Sequence, residues 1–154
     1  DNPGGLVESS VEIADLLLPE GMVTYTENRK GEQMYFKSKA GATSLPYVVL
    51  INHGTASSSE ILAAAIKDHE GGTLVGEKTF GKGIIQEIIR LKEGDAAKLT
   101  VMQYFSPLGS IIHQVGIEPD IAIELSEEDL VDGVLLREND RQLKKAIEIL
   151  NGPG

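Results

Sequence analysis

The chain has 154 residues, 41% of them hydrophobic and 25% charged, which suits one globular domain with its own core and excludes a disordered chain. Acidic residues outnumber basic ones 24 to 14, and the formal charge of −10 repels phosphate backbones, which argues against general nucleic-acid binding. There is no cysteine, so disulfides, thiolate metal sites and a cysteine nucleophile are excluded.

Asp1-Asn2-Pro3-Gly4-Gly5 is dense turn chemistry. A chain that opens on a turn, with Asp1 rather than Met, reads as a fragment or processed form, in which a missing export signal carries no information. Leu6 to Leu18 has helical spacing, with Val7, Val11, Ala14, Leu17 and Leu18 on one side and Glu8, Glu12 and Asp15 on the other. Pro19-Glu20-Gly21 ends it. Met22 to Thr26 and Gln33 to Lys37 read as a hairpin around Asn28-Arg29-Lys30-Gly31. The longest apolar run, Leu45 to Ile51, is strand-sized and far short of a bilayer span. Within it, Tyr47 to Ile51 is uniformly apolar and reads as a strand buried on both faces.

Asn52-His53-Gly54 turns the chain, and a helix is expected from about Ser58 to His69, stopped by Gly71-Gly72. Thr73 to Val75 reads as a short buried strand. Ile84 to Leu91 and Lys98 to Phe105 read as strands joined at Glu93-Gly94-Asp95. Ile111-Ile112 and Ile121-Ala122-Ile123 are expected as short strands, and Arg137 to Leu150 as the last helix. Residues 1–150 form one core and 151–154 a tail, with no repeat or linker. Helices alternating with buried strands give an α/β domain, and the hairpins make its sheet mixed.

Two segments carry chemistry. Gly54-Thr55-Ala56-Ser57-Ser58-Ser59-Glu60 joins a buried strand to a helix. Its ordinary reading is a capping box, Ser57 with Glu60 three residues on. The same geometry also exposes a serine beside amides and a positive dipole that suit an oxyanion. Three consecutive serines leave the nucleophile open from this segment alone. Gly76-Glu77-Lys78-Thr79-Phe80-Gly81-Lys82-Gly83 nearly matches the phosphate-binding loop, but Gly83 replaces the magnesium-binding hydroxyl and a strand follows where a helix is required. Lys82 reads either as a solvated loop lysine or, framed by two glycines, as a confined base. Lysine titrates at about 10.4 unperturbed, so a general base needs desolvation. His53, four residues before Ser57, is a rival base whose ordinary reading is a surface turn. His69 reads as a cation at a helix end, and His113 as a strand residue. Three scattered histidines give no metal signature.

Four segments in order then carry a resemblance: Asn2-Pro3-Gly4-Gly5-Leu6, Gly54 to Ile61, Gly76 to Gly83 with Gln86, and Gly116-Ile117-Glu118-Pro119-Asp120. The chain resembles the protease core of the C-terminal processing peptidases, also called tail-specific proteases. The resemblance implies a Clp protease/crotonase-like α/β core with a mixed sheet and packed helices. It implies a serine endopeptidase cutting proteins near their C-termini, with Ser57 as nucleophile, Lys82 (25 residues on) as general base and Gln86 orienting the lysine. The backbone amides of Gly5 and Ser58 would hold the oxyanion, with Gly4 as the fallback for Gly5. Ser58 stands where the family more often has alanine. A straight strand would set Lys82 and Gln86 about 13 Å apart, so their contact requires a bend, for which Gly83 is the expected place.

The resemblance also implies no cofactor and no metal, and protein or peptide substrates bound as an extended strand. It implies a PDZ domain in the full-length protein outside this chain, and a location outside the cytoplasm, with homo-oligomerisation left open. The alternative is an inactive core that serves as a peptide-binding module. An acyl-CoA enzyme of the same fold and a nucleotide binder are more distant readings.

Overall fold

The computed structural model describes residues 1–152, with the side chain of Glu93 outside that description. Residues 153 and 154 of the expected tail therefore lie outside the described residues. Among the described residues there are three α-helices and three sheets, and the α/β class stands.

Helix α1 (Val7–Leu17) turns Ala14 and Ser10 inward and ends at Leu18, before Pro19. Strands β1 (Gly21–Asn28) and β2 (Gln33–Ser38) form the expected antiparallel hairpin. Its turn is held by Asn28, whose Oδ1 accepts the amides of Lys30 at 2.9 Å and Glu32 at 3.0 Å. β3 (Val48–Ile51), β4 (Thr73–Gly76) and β7 (Ile121–Ala122) form a parallel sheet in the order β3-β4-β7. β5 (Ile84–Arg90) and β6 (Ala96–Phe105) complete the antiparallel sheet β2-β1-β6-β5.

Helix α2 (Ser58–Asp68) follows β3 and fills the centre with Ile61, Ala64, Ala65 and Ile66, against Leu18, Val23, Ile51, Leu74 and Ile112. At about 0.8 kcal/mol per buried CH₂, this cluster is the main source of stability. Helix α3 (Arg141–Asn151) packs on β3 and β4. Among the described residues no helix is long and apolar enough to cross a membrane.

Several elements differ from expectation. β3 is an edge strand, and Leu50 stays 42% exposed, so it is not buried on both faces. Ile111 makes only an isolated bridge to Phe105. The last helix starts at Arg141 rather than Arg137, because Asp140 caps it: its carboxylate accepts the Leu143 amide at 2.9 Å. It runs through Asn151, into the expected tail. A small hairpin, β8 (Leu130–Val131) with β9 (Val134–Leu135), was not foreseen. Its Asp132-Gly133 turn has positive φ at both residues, 51° and 77°, which is what a two-residue hairpin turn needs.

Arg141 anchors this C-terminal region. Its Nε and Nη2 donate to the two oxygens of Asp129, each at 2.8 Å, and Ser126 donates its amide to the same carboxylate at 2.7 Å. These donors, Arg141 first, hold the Asp129 carboxyl well below the usual carboxylate range. A depressed acid contributes stability that is present above its unfolded pKa of about 3.9 and is lost as pH falls below it. Arg141→Ala is therefore expected to speed amide exchange over residues 126–141 at pH 7. The difference from the parent should shrink steadily below about pH 4. A pH-independent difference would show that the ion pair is not its source.

Candidate active site

Two loops leave the carboxyl ends of the adjacent parallel strands β3 and β4, the place where open α/β sheets bind ligands. The strands meet at Ile51 and Gly76, where a Cβ on Gly76 would lie 2.1 Å from the Ile51 carbonyl oxygen. Only glycine, here at φ 131°, lets the second loop start so close to the first.

The first loop is wound tight by Asn52, whose Oδ1 accepts the Gly54 amide at 3.0 Å and whose carbonyl accepts the Thr55 amide at 2.9 Å. It delivers Ser57 at φ 61° and ψ −125°, a left-handed conformation that a side chain adopts only under strain. A strained serine on a strand-to-helix turn has its hydroxyl pushed out of the backbone's own hydrogen bonding. Here the Ser57 hydroxyl makes no cap hydrogen bond, although the Ser57/Glu60 capping-box pair is present.

The second loop, residues 77–83, is held from both sides. Phe80 donates its amide to the Thr55 carbonyl at 3.0 Å. Thr79 and Ile117 exchange bonds: the Thr79 amide reaches the Ile117 carbonyl at 3.1 Å, and the Ile117 amide reaches Thr79 Oγ1 at 2.7 Å. The Gly116-to-Asp120 segment is thus the loop's outer wall. Its Asp120 accepts the Leu74 amide at 2.8 Å and pairs with Lys67 at 2.9 Å, fixing β4 to the end of α2.

Glu60 joins the loops. It is fully buried, and no cation pairs with it among the described residues. Its Oε2 accepts the amides of Ser57 at 2.9 Å and Lys82 at 2.7 Å. Its Oε1 accepts the Gly81 amide at 2.7 Å and the Thr79 hydroxyl at 2.5 Å. Two amides that end on one oxygen cannot be farther apart than their two bond lengths together. Glu60 therefore brings the Ser57 and Lys82 backbones side by side. Sequence reasoning assigned Glu60 only to the cap; the signal for more was a glutamate placed one helical turn from the serine and matched to an amide-rich loop downstream.

The N-terminal turn docks on the same elbow. Asn2 caps it, with Oδ1 accepting the Gly4 amide at 3.1 Å and its carbonyl accepting the Ala56 amide at 3.0 Å. A Cβ on Gly4 would meet the Ala56 carbonyl oxygen at 2.6 Å and both Ser57 Cβ and the Ser58 nitrogen at 2.9 Å. Gly4 sits at φ 89°. Gly4→Ala is therefore expected to cost about 1–3 kcal/mol from strain and to lift the turn off the elbow. Faster exchange of the Ala56 amide would report it, and an unchanged Ala56 rate would show that the turn is not seated there.

The expected site residues fall out unevenly. Ser57 and the Lys82 backbone are adjacent, but the Lys82 side chain is exposed, so the expected confinement of that lysine is not seen. Charged loop side chains stay in water unless something covers them. Gln86 is also exposed and donates to Thr100 Oγ1 at 3.4 Å rather than to Lys82. The register of β5 on β6 shifts between Ile85 and Gln86, the kind of irregularity at which a strand bends. Gly83 instead packs on the backbone of Ile112 and His113. Gly5 donates its amide to Ser58 Oγ at 2.7 Å, and Gly4 donates to Asn2, so neither amide faces open space. Ser58 keeps its own amide unpaired among the described residues. His53 is a surface residue, its side chain 84% exposed and 3.2 Å from Glu77. The Leu125 amide, then His53, hold the Glu77 carboxyl below its usual value. His69 is the C-cap of α2 and hydrogen-bonds to the Met22 carbonyl at 2.7 Å. His113 lies in a turn, with Nδ1 buried and unpartnered. Among the described residues no three His, Asp or Glu side chains are grouped to hold a metal ion.

The parallel strands, the helix that follows β3 and the two paired loops define an α/β domain of the Clp protease/crotonase-like class. Residues 1–123 match Peptidase family S41, and the chain belongs to that family. It is 45% identical over 154 residues to a carboxyl-terminal-processing protease of Synechocystis sp., covering 99% of this chain and 35% of that protein. It is 38% identical over 128 residues to the carboxy-terminal processing protease CtpA of Bacillus subtilis, covering 82% of this chain and 28% of that protein. Among solved structures, a photosystem II D1 C-terminal processing protease superposes with a TM-score of 0.75 at 37% identity, over 80% of this chain and 32% of its own. A protein from Parabacteroides merdae superposes at 0.78 with 22% identity, over 99% of this chain and 50% of its own, which shows the shared fold. The chain spans about a third of the length of the curated relatives it matches.

Proposed function

We propose that this chain is the catalytic core of a serine endopeptidase that cuts proteins near their C-termini. The observation that carries the reading is the strained Ser57 elbow, tied through one Glu60 oxygen to the backbone of Lys82. The processing proteases among its relatives support the substrate class. A substrate strand lies along a sheet edge beside the elbow. A cleft of about 260 Å³ lined by Gly5, Leu6, Ile13, Ser58 and Leu62 opens there for an apolar side chain. Neutral Lys82 takes the proton from Ser57 Oγ as it attacks the scissile carbonyl. The Ser58 amide, at the start of α2, forms the oxyanion site together with the Gly5 turn docked on Ser58. Lys82 returns the proton to the leaving amine, the amine departs, and water hydrolyses the acyl-enzyme. Substrate covers the exposed Lys82 and supplies the desolvation that a lysine base needs. Gln86 turns from Thr100 to the lysine in the same step. The reaction takes place outside the cytoplasm, on protein or peptide substrates alone.

A second reading is favoured by two observations: Lys82 is exposed and Gln86 is turned away. On it, the chain binds extended peptides without turnover. One experiment separates them. An unfolded protein with an apolar C-terminus is incubated with the chain, with Ser57→Ala, with Lys82→Ala and with Ser59→Ala. Cleavage by the parent and Ser59→Ala alone, rising with pH, supports the peptidase. Binding without cleavage by all four supports the module. Undiminished cleavage by Ser57→Ala sinks the assignment of the nucleophile.

A further inference from the structure

Resting on the peptidase reading, we infer that the Ser58 hydroxyl is itself an oxyanion donor, and that Gly5 acts through it rather than directly. Ser58 Oγ accepts the Gly5 amide at 2.7 Å, so the Gly5 N–H is already spent on a hydroxyl. Ser58 is only 4% exposed, so water does not take over that bond freely. The hydroxyl's own proton has no acceptor among the described residues, and neither has the Ser58 amide. One residue, directly after the strained Ser57 and at the first position of α2, thus carries two donors without protein partners among the described residues.

A buried donor without an acceptor is costly until an acceptor arrives. The acceptor that chemistry would bring to this point is the oxygen of a carbonyl attacked by Ser57. As that oxygen gains charge it takes the Ser58 N–H and the Ser58 O–H together. The Gly5 N–H, donating to the same hydroxyl, polarises it and strengthens its bond to the oxyanion. No proton is transferred: the hydroxyl keeps its hydrogen, and Lys82 still carries the proton from Ser57. The Gly4 contact with the Ser58 nitrogen keeps the turn, and so the Gly5 amide, in register with the hydroxyl.

The test compares the parent chain with Ser58→Ala in two assays. In the first, kcat and KM are measured on a peptide substrate. In the second, binding of a peptide aldehyde is measured, since its hemiacetal with Ser57 places an oxygen at the oxyanion position. Removing one such donor elsewhere costs on the order of 10²–10³ in kcat. Ser58→Ala is expected to lower kcat by about 10–100-fold and to weaken the aldehyde in parallel, with KM changed by less than about 3-fold. An unchanged kcat with unchanged aldehyde binding would mean that the hydroxyl only fills space. A raised kcat would mean that it plugs the site and that Gly5 donates directly. Either result overturns the inference while leaving the peptidase reading intact. A parent chain inert to both substrate and aldehyde overturns the peptidase reading, and this inference with it. Thermal unfolding of Ser58→Ala, expected to stay within a few degrees of the parent, separates a lost donor from a lost fold.

Discussion

Glu60→Ala should cost the chain a large part of its stability and all organisation of its two site loops. Four donors end on this carboxylate: three backbone amides and the Thr79 hydroxyl. Each donor left buried without a partner costs about 1–3 kcal/mol, partly relieved where water enters the gap. A net loss of at least about 3 kcal/mol is expected, against a total of about 5–15 kcal/mol for a typical domain. Glu60→Gln is the more discriminating variant. It keeps the volume, but its amide group has to face backbone N–H donors from one side or the other. If the nitrogen faces Ser57 and Lys82, those two amides lose their acceptor. If it faces the opposite way, Gly81 does. Glu60→Gln should therefore fold, with a denaturation midpoint below the parent, and show accelerated exchange of one of these amide sets. A parent-like midpoint with parent-like exchange would show that the carboxylate does not organise the site.

What the sequence made legible follows the range of each interaction. The β1–β2 hairpin and the two early helices are set by local periodicity and by turn residues such as Asn28, and they stand where expected. The start of α3 was missed because Arg137 and Glu138 favour a helix as well as the residues after them do, while the Asp140 cap decides. The β8–β9 hairpin was missed because two-residue strands show no alternation; only the Asp132-Gly133 pair marked it. For β3, a uniformly apolar strand cannot reveal whether both its faces are covered, and Leu50 is not.

At the site, Ser57 and Glu60 were legible as a local motif, and the order of four motifs set the Ser57 and Lys82 segments beside each other, as their backbone amides on Glu60 now are. That one carboxylate oxygen takes amides from both loops was not legible, because it depends on the parallel pairing of β3 with β4. The direction of Gln86 was not legible either. A register shift of one residue decides which neighbour a strand side chain reaches, and here that neighbour is Thr100.

Ser57→Gly should then separate what the elbow does for the fold from what it does for chemistry. At φ 61° and ψ −125°, Ser57 is strained in a way that glycine is not. Backbone strain of this kind costs of order 1–3 kcal/mol, against which glycine gives back part through its greater freedom in the unfolded chain. The capping partner Glu60 bonds to the backbone amide of residue 57, which glycine keeps. The hydroxyl that glycine removes makes no cap hydrogen bond, so little packing is lost with it. The net expectation is a chain about 0.5–1.5 kcal/mol more stable than the parent, and more stable than Ser57→Ala, which keeps the strain. Cleavage should be absent in both variants. Equilibrium denaturation of the three proteins decides it. A Ser57→Gly variant less stable than Ser57→Ala would mean that the elbow is relaxed as built, and that its unusual backbone angles hold no strain for catalysis to use.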